Sequence, residues 1–420
     1  MNTKKDVLPR IARLTLLSAA LGLAACNDDD ALRGGDDGHG HSESSGRLAF
    51  AGADGDPQIS IFDIDTRTTT QIALSNVPTA VYASPGRRYA LVVQADADQV
   101  GFVDGGVYAH EDHVDVETPT LLDFTLNGAK PAHYQSHEEQ SALFFDGRDS
   151  EPAQFALLTD ASIGSGGIVA SATLPAAVHG VAEPRDGYVL AVDYSLVESQ
   201  AGTPRQAVKK YELHGDHFHD EGRLATPCEN IHGAGTNDDY VAFGCQDGVL
   251  LVEQNGDLFT DRKIATPQRI TQIAGHDDAA LLAGFAGAAD GDTLYVIDPV
   301  AGTAVASDWK QGATANRRQH AFDAHGEHLL ILDSTGTLHV LEASATGFVP
   351  RGTVAVYSGD QTTARLATSP LEDLAYVTDP AGKSIAVIDL TLLEEVDRID
   401  LDFAPIGIAW LGAADDTHLH

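Results

Sequence analysis

Val178-His179-Gly180, followed five residues later by the polar turn Arg185-Asp186-Gly187 and then by Tyr188-Val189-Leu190, reads as a short strand, a turn and an apolar strand. The unit returns along the chain. Ala132-His133-Tyr134, Ile231-His232-Gly233 and Gln319-His320-Ala321 stand at comparable distances before their own turns, the last before Ala324-His325-Gly326 and Leu329-Leu330-Ile331. Registered on the turns, the column continues through Ala80, Thr271, Arg365 and Ile406. Equivalent positions of a closed circular repeat converge on its axis, so imidazoles from distant parts of the chain are expected to face one small space.

Outward from that segment each unit adds two more strands. Tyr89-Ala90-Leu91-Val92-Val93 with Val100-Gly101-Phe102-Val103-Asp104 is one instance, and Leu374-Ala375-Tyr376-Val377-Thr378 with Ile385-Ala386-Val387-Ile388-Asp389 is another. Apolar β-rich runs alternate with Gly, Asp, Asn and Pro punctuation, and no helical period extends over eleven residues or more. Four strands recurring at roughly 40 to 50 residues define a β-propeller blade. The fold class is all-β, a single propeller of eight four-stranded blades, with seven as the alternative, over residues 47–412, with starts near 79, 132, 178, 230, 270, 319 and 363. The eighth blade is split. Leu48 to Leu74 supplies three strands without a first, and Pro405-Ile406-Gly407-Ile408-Ala409-Trp410 supplies a first strand without a sequel. Pairing them closes the ring and removes exposed sheet edges.

The first 25 residues read as an export signal. Lys4, Lys5, Arg10 and Arg13 precede an apolar run from Leu14 to Ala25, too short for a stable membrane span. Leu23-Ala24-Ala25-Cys26 matches a bacterial lipobox, which makes Cys26 the expected lipidation site and the periplasmic side of the membrane the expected location. Residues 26–46 are Asp, Gly, Ser and His with little to bury, a disordered tether. Residues 413–420 form a tail. Cys228 and Cys245 flank a predicted hairpin whose turn is Thr236-Asn237-Asp238-Asp239, and an exported pair so placed is expected to form a disulfide.

Lys and Arg number 26 against 62 Asp and Glu, a formal net charge of −36. Such a chain has nothing with which to neutralise a phosphate backbone, which excludes nucleic acid as a partner. The chain also lacks the Gly-x-Ser-x-Gly, His-Glu-x-x-His and phosphate-loop signatures.

Histidine, the commonest zinc ligand, carries what chemistry is legible. His133, His179, His232 and His320 form the expected axial site. A second, looser set sits where third strands pass to fourth strands: His110 and His113 in His110-Glu111-Asp112-His113, and His214, His217 and His219 in His214-Gly215-Asp216-His217-Phe218-His219. Mixed N and O donors suit a first-row divalent ion, and the repeat's logic puts these loops on the face opposite the start of the axial column. His39 and His41 form a His-x-His pair on the tether, and His418 and His420 another in the tail. His137, at a predicted turn beside Glu138 and Glu139, reads as surface.

An acidic, histidine-rich exported propeller with a mobile His39-Gly40-His41 arm, a His-Glu-Asp-His run and a His-Gly-Asp-His-Phe-His run resembles the AztD-type periplasmic zinc metallochaperones. The resemblance implies that the cargo is zinc, bound by the propeller and passed, with help from the arm, to the periplasmic solute-binding protein of a zinc ABC transporter. It implies a monomer that touches membrane only through a lipid anchor. Two other classes stay open on the residues alone: a metal-dependent hydrolase of the lactonase type or a histidine-rich copper enzyme, and a non-catalytic interaction scaffold.

Overall fold

The computed structural model describes residues 46–110 and 113–413. The signal, Cys26, the tether with His39 and His41, Glu111 and Asp112, and the tail with His418 and His420 lie outside the described residues. Eight four-stranded antiparallel sheets follow one another, and a two-stranded hairpin accompanies the first. The first strands, in order, are Ala80–Ala83, Pro131–His137, Ala182–Arg185, Ala234–Thr236, Ile270–Ala274, Arg317–Phe322, Leu366–Thr368 and Pro405–Leu411. From the second blade onward each touches the next around the ring, and the eighth touches the first. This is the expected eight-bladed propeller, and blades are numbered 1 to 8 in that order.

Closure is as the split blade predicted. Blade 8 runs Thr68–Ala73, Gln58–Asp63, Arg47–Gly52 and Pro405–Leu411 across the sheet. Leu48 faces Trp410 and Arg47 faces Leu411. The Arg47 guanidinium is buried in this seam, donating from Nε to Asp63 at 3.1 Å and from Nη1 to the Glu117 carbonyl at 2.7 Å. Joining the termini in one sheet leaves no open edge between the first and last blades.

The burial pattern explains the layering. Second strands are buried on both faces, as in Tyr89–Gln94, His328–Asp333 and Tyr188–Asp193. Fourth strands alternate, as in Thr68–Ala73 and Thr120–Asn127, because only one of their faces has a neighbour. The core is accordingly a set of clusters between adjacent sheets, such as Phe144, Phe155, Val189, Leu190 and Phe243 between blades 2, 3 and 4. Two short helices, Asp160–Gly164 and Leu196–Ala201, each opened by a capping box, interrupt the strands.

Cys228 and Cys245 form the expected disulfide. Cys245 ends the strand Tyr240–Cys245, whereas Cys228 lies in the segment that leads toward Ala234–Thr236. The bond thus fixes the approach to His232. No helix among the described residues is long and apolar enough to cross a membrane.

Candidate metal site

Blades 2, 3 and 4 bring His133, His179 and His232 together. Their ligand nitrogens all lie within 4.8 Å of one another, and ring centroids are separated by 4.9, 5.2 and 5.9 Å. The Nε2 atoms of His133 and His179 are 3.3 Å apart. Two imidazoles bound to one tetrahedral zinc at about 2.0–2.1 Å have nitrogens roughly 3.3 Å apart. The observed spacing is that of one edge of a zinc coordination tetrahedron.

Two of the rings are held from behind. His179 Nδ1 lies 2.8 Å from Asp146 Oδ2, and His232 Nδ1 donates to the Thr271 carbonyl at 2.7 Å. With the proton on Nδ1, the Nε2 lone pair is left for a metal, the usual arrangement behind a ligating histidine. Burial, reinforced by His179 and His232, pulls His133 down to about 4. Burial also lowers His232. Both rings are therefore neutral, ligand-competent imidazoles at neutral pH.

The glycines after two of these histidines have a local reason. Gly233 sits at φ +70°, and a Cβ there would stand 2.5 Å from the same Thr271 oxygen that receives His232. A Cβ on Gly180 would meet Phe144 at 2.9 Å. The His-Gly pairs let the chain turn close to its neighbour while the imidazole faces the axis.

His320 does not join the group. In blade 2 a bulge follows Pro131, and His133 is the first residue paired after it, opposite Phe144. In blade 6 the bulge follows Arg317, and the first residue paired after it is Gln319, opposite Leu332. His320 is one residue further on, the counterpart of Tyr134, and one step along a strand reverses the face. Tyr134 accordingly stacks on Tyr82 of blade 1, at 5.1 Å. His320 packs on Phe285 of blade 5, at 4.5 Å, with Nδ1 2.9 Å from Arg317 Nη1. The axial group is thus three histidines, where the repeat alone counted four.

One layer along the axis, two residues beyond His133, Gln135 donates to Glu183 Oε1 and, at 2.8 Å, to the Ala234 carbonyl. Glu183 is fully buried, its Oε2 has no partner among the described residues, and burial pushes its pKa up to about 8. At the far end His137 reaches from blade 2 to Asp277 of blade 5, Nδ1 to Oδ1 3.0 Å. The surface reading of His137 is corrected: it is buried, because the first strand runs through to that end of the axis and the pair spans between non-adjacent blades.

The second set divides. His214, His217 and His219 crowd the tip of the hairpin formed by Ala207–His214 and His217–Arg223, with His214 stacked on His219 at 4.1 Å and His217 Nε2 3.2 Å from His219 Nε2. His214 Nε2 lies 3.0 Å from Glu212, and His217 Nδ1 lies 3.2 Å from Asp216. The strand Val107–His110 pairs with His113–Val116 as a separate hairpin, where His113 Nε2 lies 3.4 Å from Asp115. Among the described residues, only the axial trio brings three such donors within 4.8 Å. Antiparallel order puts the turn between the third and fourth strands of blade 3 at the end opposite the start of its first strand, so the tip carrying His214 and His217 lies away from the axial group.

Asp146, the Thr271 carbonyl, Gln135 and Glu183 were not legible as parts of the site. The one available signal was the recurrence of Asp at strand ends, of which Asp146 after Gln140–Phe145 is an example.

Fold and site define a class: an eight-bladed β-propeller with three axial imidazoles arranged as a candidate transition-metal site. No family model matches the chain. It is a homologue of the zinc chaperone AztD from Citrobacter koseri, 24% identical over 372 residues that make up 84% of each chain. The apo structure of that protein superposes with a TM-score of 0.73 at 21% identity, covering 88% of this chain and 98% of the other. A dihydro-heme d1 dehydrogenase, NirN, shares the fold at a TM-score of 0.57 and 12% identity, covering 87% of this chain and 75% of its own.

Proposed function

We propose that this protein is a periplasmic zinc chaperone, exported by the signal in residues 1–25 and anchored through Cys26, that stores zinc at His133, His179 and His232 and delivers it to the solute-binding protein of a zinc ABC transporter. The observation that carries the reading is the convergence of three ligand nitrogens within 4.8 Å from three successive blades. The relative's described role as a zinc chaperone supports it, as does the disulfide, which suits an oxidising compartment. Transfer is ligand exchange: the donor releases one imidazole at a time while the acceptor engages, and no covalent step or catalysis is involved. The half-exposed His179 is the ring an acceptor reaches first. The hairpin histidines His110, His113, His214, His217 and His219 and the arm residues His39 and His41 serve as weaker outer contacts. The protein acts as a monomer.

Elemental mass spectrometry on the mature, tag-free protein tests this directly. About one zinc per chain is expected at the axial group, lost from a variant with His133, His179 and His232 all changed to alanine while its circular dichroism is kept. No zinc after loading and removal of excess would leave a propeller whose histidines line a wet channel. Loaded protein mixed with the apo solute-binding protein, then separated, should give up its zinc to that partner.

A further inference from the structure

Among the described residues three nitrogens converge, and no His, Cys, Asp or Glu joins them as a fourth donor. A tetrahedral zinc then keeps one position for a ligand from elsewhere. Two arginines flank the turn that delivers His232. Arg205 Nε donates to the Ile231 carbonyl at 2.9 Å, and Arg269 Nη2 donates to the Asn230 carbonyl at 2.9 Å. Both charges reach His232, and that of Arg205 also reaches His133. Neither guanidinium forms an ion pair among the described residues, although the chain holds 62 acidic side chains against 26 Lys and Arg. Arg269 Nε is buried without a partner among the described residues.

Charge balance makes this arrangement informative. A dication on neutral imidazoles beside two guanidiniums gathers four positive charges near the Asp146 carboxylate. Like charges this close in a partly buried site repel strongly. A neutral fourth ligand such as water leaves that repulsion in place; an oxyanion removes part of it, and guanidinium forks match carboxylate geometry.

Building on the metal site proposed above, we infer that its fourth position is a carboxylate pocket, in which Arg205 and Arg269 hold an oxyanion against the bound metal. The carboxylate comes either from a small free anion or from an Asp or Glu side chain of the acceptor. In the second case the acceptor's carboxylate is the first new ligand in the exchange.

The full mature chain loaded with cobalt(II) gives the test, because cobalt takes tetrahedral zinc positions and its visible absorption reports a change of fourth ligand. Acetate is titrated in one series and a short peptide carrying a single Asp in another. A saturable spectral change is expected in both. A tighter response to the peptide assigns the pocket to a protein side chain, and an equal or tighter response to acetate assigns it to a free anion. In the Arg205→Gln, Arg269→Gln variant the response should weaken by about tenfold or more. Its cobalt affinity in anion-free buffer should rise severalfold, since two positive charges leave. A cobalt-loaded wild type whose spectrum neither carboxylate moves, or a variant that responds as wild type does, overturns the inference and leaves the metal site standing. Failure of the wild type to take cobalt overturns the metal site itself and the inference with it.

Discussion

Two groups of three histidines in this molecule differ in almost every respect. His214, His217 and His219 fall within six residues on one exposed hairpin tip, and their rings stack or pair with adjacent carboxylates. His133, His179 and His232 come from three blades, yet their ligand nitrogens converge and two of their rings are anchored through Nδ1. Closeness in sequence does not produce ligand geometry. On a hairpin, His217 and His219 lie two apart on one face and His214 meets them across the strands, so the rings stack without a common centre. On the axis, separate strands aim at one point, and the rigid ring of sheets holds them there.

The most direct way to break the comparison is to remove ligands from each group in turn. Changing His133 and His232 to alanine should weaken zinc binding by about a thousandfold or more, since each lost ligand forfeits roughly 2–4 kcal/mol of a structural-type zinc affinity. Changing His214, His217 and His219 together should leave the tight phase of a competition titration in place. If the hairpin variant loses the tight zinc and the axial one keeps it, the assignment is reversed.

The axis also carries a stability cost that an exposed hairpin avoids. Glu183 is fully buried and protonated up to about pH 8, whereas an unfolded glutamate ionises near 4.5. Between those values the folded state binds a proton that the unfolded state has released, so stability falls as pH rises through that window. Glu183→Gln keeps an oxygen for Gln135 without the ionisation. The variant should match wild type near pH 4.5 and exceed it by about 3 kcal/mol at pH 7 in denaturant unfolding. An equal gain at both pH values would mean that the carboxyl ionises in the folded state as it does in the unfolded one, and that burial does not raise its pKa.

The support behind the rings comes next. Asp146→Asn keeps the shape beside His179 but removes the carboxylate that orients Nδ1. Zinc affinity should fall 10- to 100-fold, roughly the usual effect of losing a partner behind a ligating histidine. No fall would mean that His179 is positioned by its strand alone.

The limits of sequence reading follow from the same contrast. The propeller, its closure in blade 8 and the Cys228–Cys245 bond were legible because they rest on alternation, spacing and cysteine pairing, all of which are local or periodic. Three of the four axial histidines were legible for the same reason. His320 was not, because its side depends on where a bulge falls relative to Arg317, and a one-residue bulge leaves no mark in the alternation of a short strand. His137 looked like a turn residue among glutamates; its burial comes from Asp277, 140 residues away. Asp146, Glu183 and the paired arginines are side chains of ordinary type whose significance arises only from what the ring brings opposite them.

Acidity gives the finest discrimination. Three ordinary histidines, each with a pKa near 6.5, would together lose roughly a thousandfold in zinc affinity between neutral pH and 5.5, because a proton must leave each ring before the metal binds. Unperturbed rings would therefore give a fall through about 6.5. Burial changes this, with His133 held at about 4 and His232 also lowered. His133 carries no proton for zinc to displace over that interval and His232 carries less than an ordinary ring, so the axial group should lose clearly less than the thousandfold of three ordinary rings. Competition titrations at pH 7 and 5.5 distinguish the two. A thousandfold loss would show that the rings sit in water with ordinary basicity.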